Sequence, residues 1–99
     1  MHRFHRLPKM SVLGFEVPLA TTRRSRLLGL ALLDRERAGE GLLIPACRSV
    51  HTFGMRFPLD LIFLGEDGRV VELRRSVPPG QIVRCPDGAA VLELPSPAM

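Results

Sequence analysis

The chain has 99 residues, 45% hydrophobic and 24% charged, enough apolar material for one modest core and no composition for disorder or a coiled coil. Nine Gly and nine Pro punctuate it too often for a helical bundle and lean towards a β-rich fold. The net charge of +4 is spread out, and with no Trp or Tyr to stack on bases it makes nucleic acid an unlikely partner.

Residues 1–10 are basic but lead into no apolar h-region, so they read as a flexible lead-in and not a signal peptide. Residues 11–99 then form a single β-rich domain. Segment 11–17 predicts a first strand ended by Pro18, with Leu13, Phe15 and Val17 facing the core. Thr21 or Thr22 offers an N-cap for a short helix beginning Arg23-Arg24-Ser25-Arg26. Three arginines in its first turn oppose the helix dipole, so tertiary packing has to hold it. Asp34 to Arg37 is expected to be solvated.

Leu42-Leu43-Ile44 predicts a short strand stopped by Pro45. Residues 47–57 form a polar connection, and residues 59–64 a central strand covered on both faces. Gly65-Glu66-Asp67-Gly68 supplies hairpin-turn chemistry, returning the chain through an antiparallel strand from Arg69 to Arg75. Residues 81–84 and 89–94 add two more strands. Six strands and one short helix without internal repeats imply a mainly β fold, a small β-sandwich or barrel.

No apolar run approaches the roughly 20 residues that span a bilayer. The two cysteines, Cys47 and Cys85, cannot make a disulfide framework, and with no secretory signal they read as reduced thiols in a cytoplasmic protein.

Three pieces of the chain carry a family resemblance: Phe53-Gly54-Met55-Arg56, Pro58-Leu59-Asp60-Leu61-Ile62-Phe63, and Asp67-Gly68-Arg69-Val70-Val71. With the terminal Val91-Leu92-Glu93-Leu94-Pro95, they make the chain resemble the bacterial and archaeal domain-of-unknown-function 192 family. Many members carry a Trp where Gly54 stands, followed by a longer loop, and continue past the final strand. Against that pattern the loop before Pro58 has the shortened form, and the expectation is a chain trimmed after its final strand relative to the family. The resemblance implies a jelly-roll-like sandwich with one helix near an edge. It brings no activity, cofactor or catalytic residue.

Candidate chemistry concentrates between Cys47 and Asp60. A carboxylate at Asp60 alternates with Ile62 and Leu64 on a buried strand and is costly without a partner. Arg56, across the Phe57-Pro58 corner, is its nearest partner by sequence. That contact is either a structural clamp or part of a polar pocket with His51 and Arg48, taking a small polar or anionic ligand. Cys47 and His51 together are half of a metal site, so no metal or cofactor is expected. They also allow an enzyme reading, which requires a depressed thiol pKa at Cys47 and an orienting group. A third reading places nucleic acid on Arg23, Arg24 and Arg26. The leading one is a noncatalytic binding or accessory module.

Overall fold

The computed structural model describes residues 4–97. Its first strands, β1 (Lys9–Val12) and β2 (Phe15–Pro18), form an antiparallel hairpin. Leu13 and Gly14 both have positive φ (51° and 84°), as a type I′ turn demands. The single strand expected over 11–17 is therefore two strands about a turn. Leu-Gly lacks the Asn-Gly or Asp-Gly signature, and Leu13 ends up exposed while Val17 is fully buried.

Helix α1 (Arg23–Leu28) starts where Thr22 caps it. The Ser25 N–H donates to Thr22 Oγ1 at 3.0 Å and the Thr22 N–H to Ser25 Oγ at 3.1 Å, a capping box that offsets the unfavourable arginines. A second short helix, α2 (Arg35–Ala38), follows in the segment expected to be solvated, and it buries Ala38. The remaining strands are β3 (Leu42–Pro45), β4 (Ser49–His51), β5 (Leu59–Leu64), β6 (Val70–Val77), β7 (Ile82–Arg84) and β8 (Ala90–Pro95).

Four strands make the central antiparallel sheet, in the order β3-β8-β5-β6, and β4 pairs with β7 in a separate two-stranded ribbon. The β5–β6 hairpin forms where the Gly65–Gly68 turn chemistry placed it. One face of the central sheet presents Leu42, Ile44, Leu59, Leu61, Phe63 and Val91, packed with Leu30, Leu33, Val50 and Val83. The opposite face presents Leu43, Leu64, Leu92 and Leu94, covered by Val17 with Val12, Phe15 and Leu19. The β1–β2 hairpin thus covers one side, and the helical segment with the β4–β7 ribbon covers the other. The fold is mainly β and its sheets do not close into a barrel.

Two further placements bear on the sequence reading. Phe4, within the stretch expected as a lead-in, is 2% exposed and belongs to the main core, and Lys9 and Met10 pair with β2 in β1. Residues 49–51, read as connection, are a strand: Val50 is buried opposite Val83, an alternation too short to register in the sequence.

Candidate ligand-binding site

The site begins with a misfit in β8. Val91 belongs to the main core, Leu92 and Leu94 to the cluster behind the sheet, and alternation puts the Glu93 side chain on the main-core face. Glu93 is registered against Leu42 of β3 on one side and Leu61 of β5 on the other. It is 3% exposed, a carboxyl in the middle of an apolar sheet face. Burial pushes its pKa up from 4.5 to about 7, against the opposing pull of a hydrogen bond from the Leu30 N–H. Its Oε1 has no hydrogen-bond partner. Gly29 makes room for it, since a Cβ at that position would stand 2.7 Å from Oε1.

Above Glu93 lies a cavity of about 550 Å³ walled by α1, β3, β4 and β8. Leu27, Leu28, Ile44 and Val50 form its apolar lining, while Arg23, Arg26, Cys47, Ser49, His51 and Glu93 supply the polar groups. Cavities of about 300–1,000 Å³, mostly apolar with a few placed polar groups, are the usual form of small-molecule sites.

His51 reaches it from the end of β4. Its Nε2 lies 3.2 Å from the Leu27 carbonyl oxygen, and because a carbonyl only accepts, Nε2 carries the proton. That leaves Nδ1 as the bare nitrogen of the neutral ring, shielded from solvent and without a partner. Phe53 stacks on the imidazole at 5.5 Å between ring centroids. Arg26 donates to the carbonyls of Pro45 and Ala46, holding the α1 side of the cavity against the end of β3. Cys47 is half-buried, and its thiol donates to the Ser49 carbonyl at 3.2 Å.

Burial raises the Cys47 pKa, outweighing the Ser49 hydrogen bond and the nearby Arg26. The enzyme reading required the opposite. Alkylation of Cys47 is accordingly expected to be slower than that of a free thiol at neutral pH and to accelerate only at higher pH. Stopped-flow alkylation rates against pH check this, and a rate plateau at or below pH 7 contradicts it.

The expected Arg56–Asp60 contact does not form. Arg56 instead donates to Asp34 at 2.9 Å, and both side chains are more than half exposed. Asp60 Oδ1 accepts from the Ser76 N–H at 2.8 Å and from the Ser96 hydroxyl at 2.6 Å. The partner of Asp60 is a bulge: the β5–β6 register shifts between Leu59 and Leu61, and Ser76 takes a positive φ of 51°. Asp60 satisfies the N–H this bulge displaces and ties the end of β8 to it. Neither Arg56, Asp60 nor the exposed Arg48 lines the cavity, so of the four candidate ligand residues only His51 does, joined by Cys47. Among the described residues no group of three His, Cys, Asp or Glu side chains is placed to hold a metal ion.

These placements predict unequal mutational costs. Asp60→Ala leaves the buried Ser96 hydroxyl without its acceptor and is expected to cost about 1–3 kcal/mol. Arg56→Ala breaks an exposed pair and is expected to cost less than about 1 kcal/mol. Urea unfolding of both variants checks the order, and a larger loss for Arg56→Ala contradicts it.

Glu93 and Gly29 are the site residues the sequence reading passed over. The signal was present: Glu93 stands between Leu92 and Leu94 in an apolar strand, the same misfit that drew attention to Asp60.

Fold and cavity define a small mainly β domain with a partly polar pocket beside a short helix. The sequence profile of the DUF192 family, described as "Uncharacterized ACR", matches residues 6–99, and the chain belongs to that family. Two solved structures share the fold. One is a protein of unknown function from Novosphingobium aromaticivorans DSM 12444, 24% identical, covering 89% of this chain and 71% of its own, with a TM-score of 0.65. The other, from Sinorhizobium meliloti 1021, is described as a "putative transcription regulator". It is 21% identical, covers 89% of this chain and 78% of its own, and has a TM-score of 0.72. No curated protein matches the chain.

Proposed function

We propose that the protein is a noncatalytic binding module of the cytoplasm whose ligand occupies the cavity between α1, β3, β4 and β8. One observation carries this reading: two polar atoms with no partner, Glu93 Oε1 and His51 Nδ1, belong to residues that line the same cavity. A buried polar atom left unpaired costs about 1–3 kcal/mol, and two at one cavity favour a partner that the folded chain does not itself provide.

The alternatives draw less support. An enzyme using Cys47 and His51 has its thiol shifted away from reactivity. A nucleic-acid surface on α1 loses Arg26 to the backbone carbonyls of Pro45 and Ala46, leaving only Arg23 and Arg24 of the cluster.

A thermal-shift screen against a library of soluble metabolites tests the proposal, because a ligand that binds only the folded state raises the apparent stability. Ser49→Trp serves as the control, since Ser49 is exposed at the cavity lining and a Trp there obstructs it without entering the core. A metabolite that stabilises the native chain and not Ser49→Trp is the expected result. Hits that stabilise both equally, or no hits at all, overturn the cavity as the site.

A further inference from the structure

Resting on that ligand-site reading, we infer that the cavity takes a small zwitterion of the α-amino-acid kind. Its ammonium group points to Glu93 and His51, and its carboxylate to Arg23.

The buried end of the cavity is short of donors. In the neutral imidazole, the Nε2–H bond to the Leu27 carbonyl makes His51 Nδ1 the lone-pair nitrogen. The Cys47 thiol proton is directed to the Ser49 carbonyl. Ionised Glu93 Oε1 is an acceptor with nothing to accept from. A ligand that completes this end brings N–H or O–H groups, and an ammonium group, with three donors and a positive charge, answers a carboxylate and a bare imidazole nitrogen together.

The α1 side has the opposite need. Arg26 is held by two carbonyls, whereas Arg23 lines the cavity with an exposed side chain and no ion pair among the described residues. One unengaged guanidinium suits one carboxylate. Between the two ends, Leu27, Leu28, Ile44 and Val50 offer apolar wall for a side chain. A neutral sugar supplies donors but leaves Arg23 without a counter-charge. A fatty acid answers Arg23 and the wall but leaves Glu93 and His51 unpaired. The zwitterion matches all three. Both unpaired atoms are shielded from solvent, so binding includes a side-chain adjustment that opens them.

Binding also has a protonation signature. The titratable and charged groups lining the cavity with Glu93 are Arg23, Arg26, Cys47 and His51. With burial raising its pKa to about 7, Glu93 is partly protonated at pH 7, and an arriving ammonium selects the ionised form. Uptake of the zwitterion therefore releases a fraction of a proton per site.

Isothermal titration calorimetry of the full chain at pH 7, in two buffers of different ionisation enthalpy, tests the assignment. The probes are the common amino acids, the deaminated acid and decarboxylated amine of whichever binds, and glucose. The expected result is that one amino acid binds at least about tenfold more tightly than either truncated form, or about 1.4 kcal/mol in binding free energy. Glu93→Gln is expected to abolish both the advantage over the deaminated acid and the proton release. Arg23→Ala is expected to abolish the advantage over the amine. Circular dichroism establishes that each variant is folded.

Equal binding of the deaminated acid or of glucose, or an amine preference that survives Glu93→Gln, overturns the zwitterion while leaving an occupied cavity. If no amino acid binds but the metabolite screen yields a Ser49→Trp-sensitive hit, the zwitterion alone is overturned. If neither experiment yields a ligand, both readings fall.

Discussion

Glu93→Gln is expected to remove most of the stability change that the native protein shows between pH 4.5 and about 7. In the unfolded chain this carboxyl ionises near its ordinary 4.5, and in the fold burial holds it protonated up to about 7. Between those values the unfolded state binds fewer protons than the folded one, so stability falls as pH rises. The contribution is fully present below about 4.5 and gone above about 7. A displacement of that size is on the order of 3 kcal/mol, large for a small domain whose total stability is about 5–15 kcal/mol. Glutamine keeps a carbonyl to accept the Leu30 N–H and cannot ionise, so its profile across this window is expected to be nearly flat. Urea unfolding at a series of pH values gives both curves. Parallel curves for native protein and variant contradict the burial of an ionisable Glu93.

Gly41→Ala is expected to be the most damaging single-methyl change in the chain. Gly41 has a φ of +138°, and a Cβ there would lie 2.3 Å from the Glu93 backbone oxygen and 2.8 Å from a Leu94 side-chain carbon. The first contact is with the backbone of β8, which is paired on both sides by β3 and β5 and has no free direction to move. Backbone strain of about 1–2 kcal/mol combines with overpacking of about 1–3 kcal/mol, for a loss of roughly 3 kcal/mol or more. For a domain of this size each kcal/mol is worth about 4–8 °C in Tm, so a drop beyond roughly 12 °C is expected by calorimetry. Gly14→Ala is the comparison: φ is also positive there, but the added methyl meets nothing within 4 Å. Its loss is expected to be the smaller of the two, and equal losses contradict the account of Gly41.

Both residues sit where the fold's legibility in the sequence ended. The β5–β6 hairpin was readable because its signals are local: apolar strand, Gly-Glu-Asp-Gly turn, returning strand. The Thr22 cap was readable for the same reason, since a cap and its helix are neighbours in sequence. The family and the mainly β class followed from ordered landmarks and from Gly and Pro frequency. What escaped depended on residues far apart in sequence. Arg56 reaches back to Asp34, the residue that opens α2, and not forward to Asp60. Asp60 was recognised as a residue needing a partner, but that partner is a bulge in β6, and a bulge leaves no mark in composition. Cys47 and His51 were seen as a pair, yet Arg23, Arg26 and Glu93 join them only through the pairing of β3 with β8 and the return of α1 across it.

Glu93 is the instructive miss. The rule that found Asp60, a carboxylate out of place in an apolar strand, applies to both residues. It separates them only once the surroundings are known: Asp60 has two donors, and Glu93 Oε1 has none. Position told where a charged group needed explaining. Three-dimensional accounting of donors and acceptors told which of the two was still open.

The proposed ligand site is the cavity beside Glu93, and not the corner at Arg56 and Asp60. Amide chemical-shift mapping by NMR, recorded while the native chain is titrated with a metabolite that raises its melting temperature, tests that claim most directly. Shifts centred on Leu27 to Leu30, Cys47 to His51 and Glu93, and lost in Ser49→Trp, are the predicted result. Shifts centred on Asp34, Arg56 and Asp60, with the cavity residues unmoved, would contradict it.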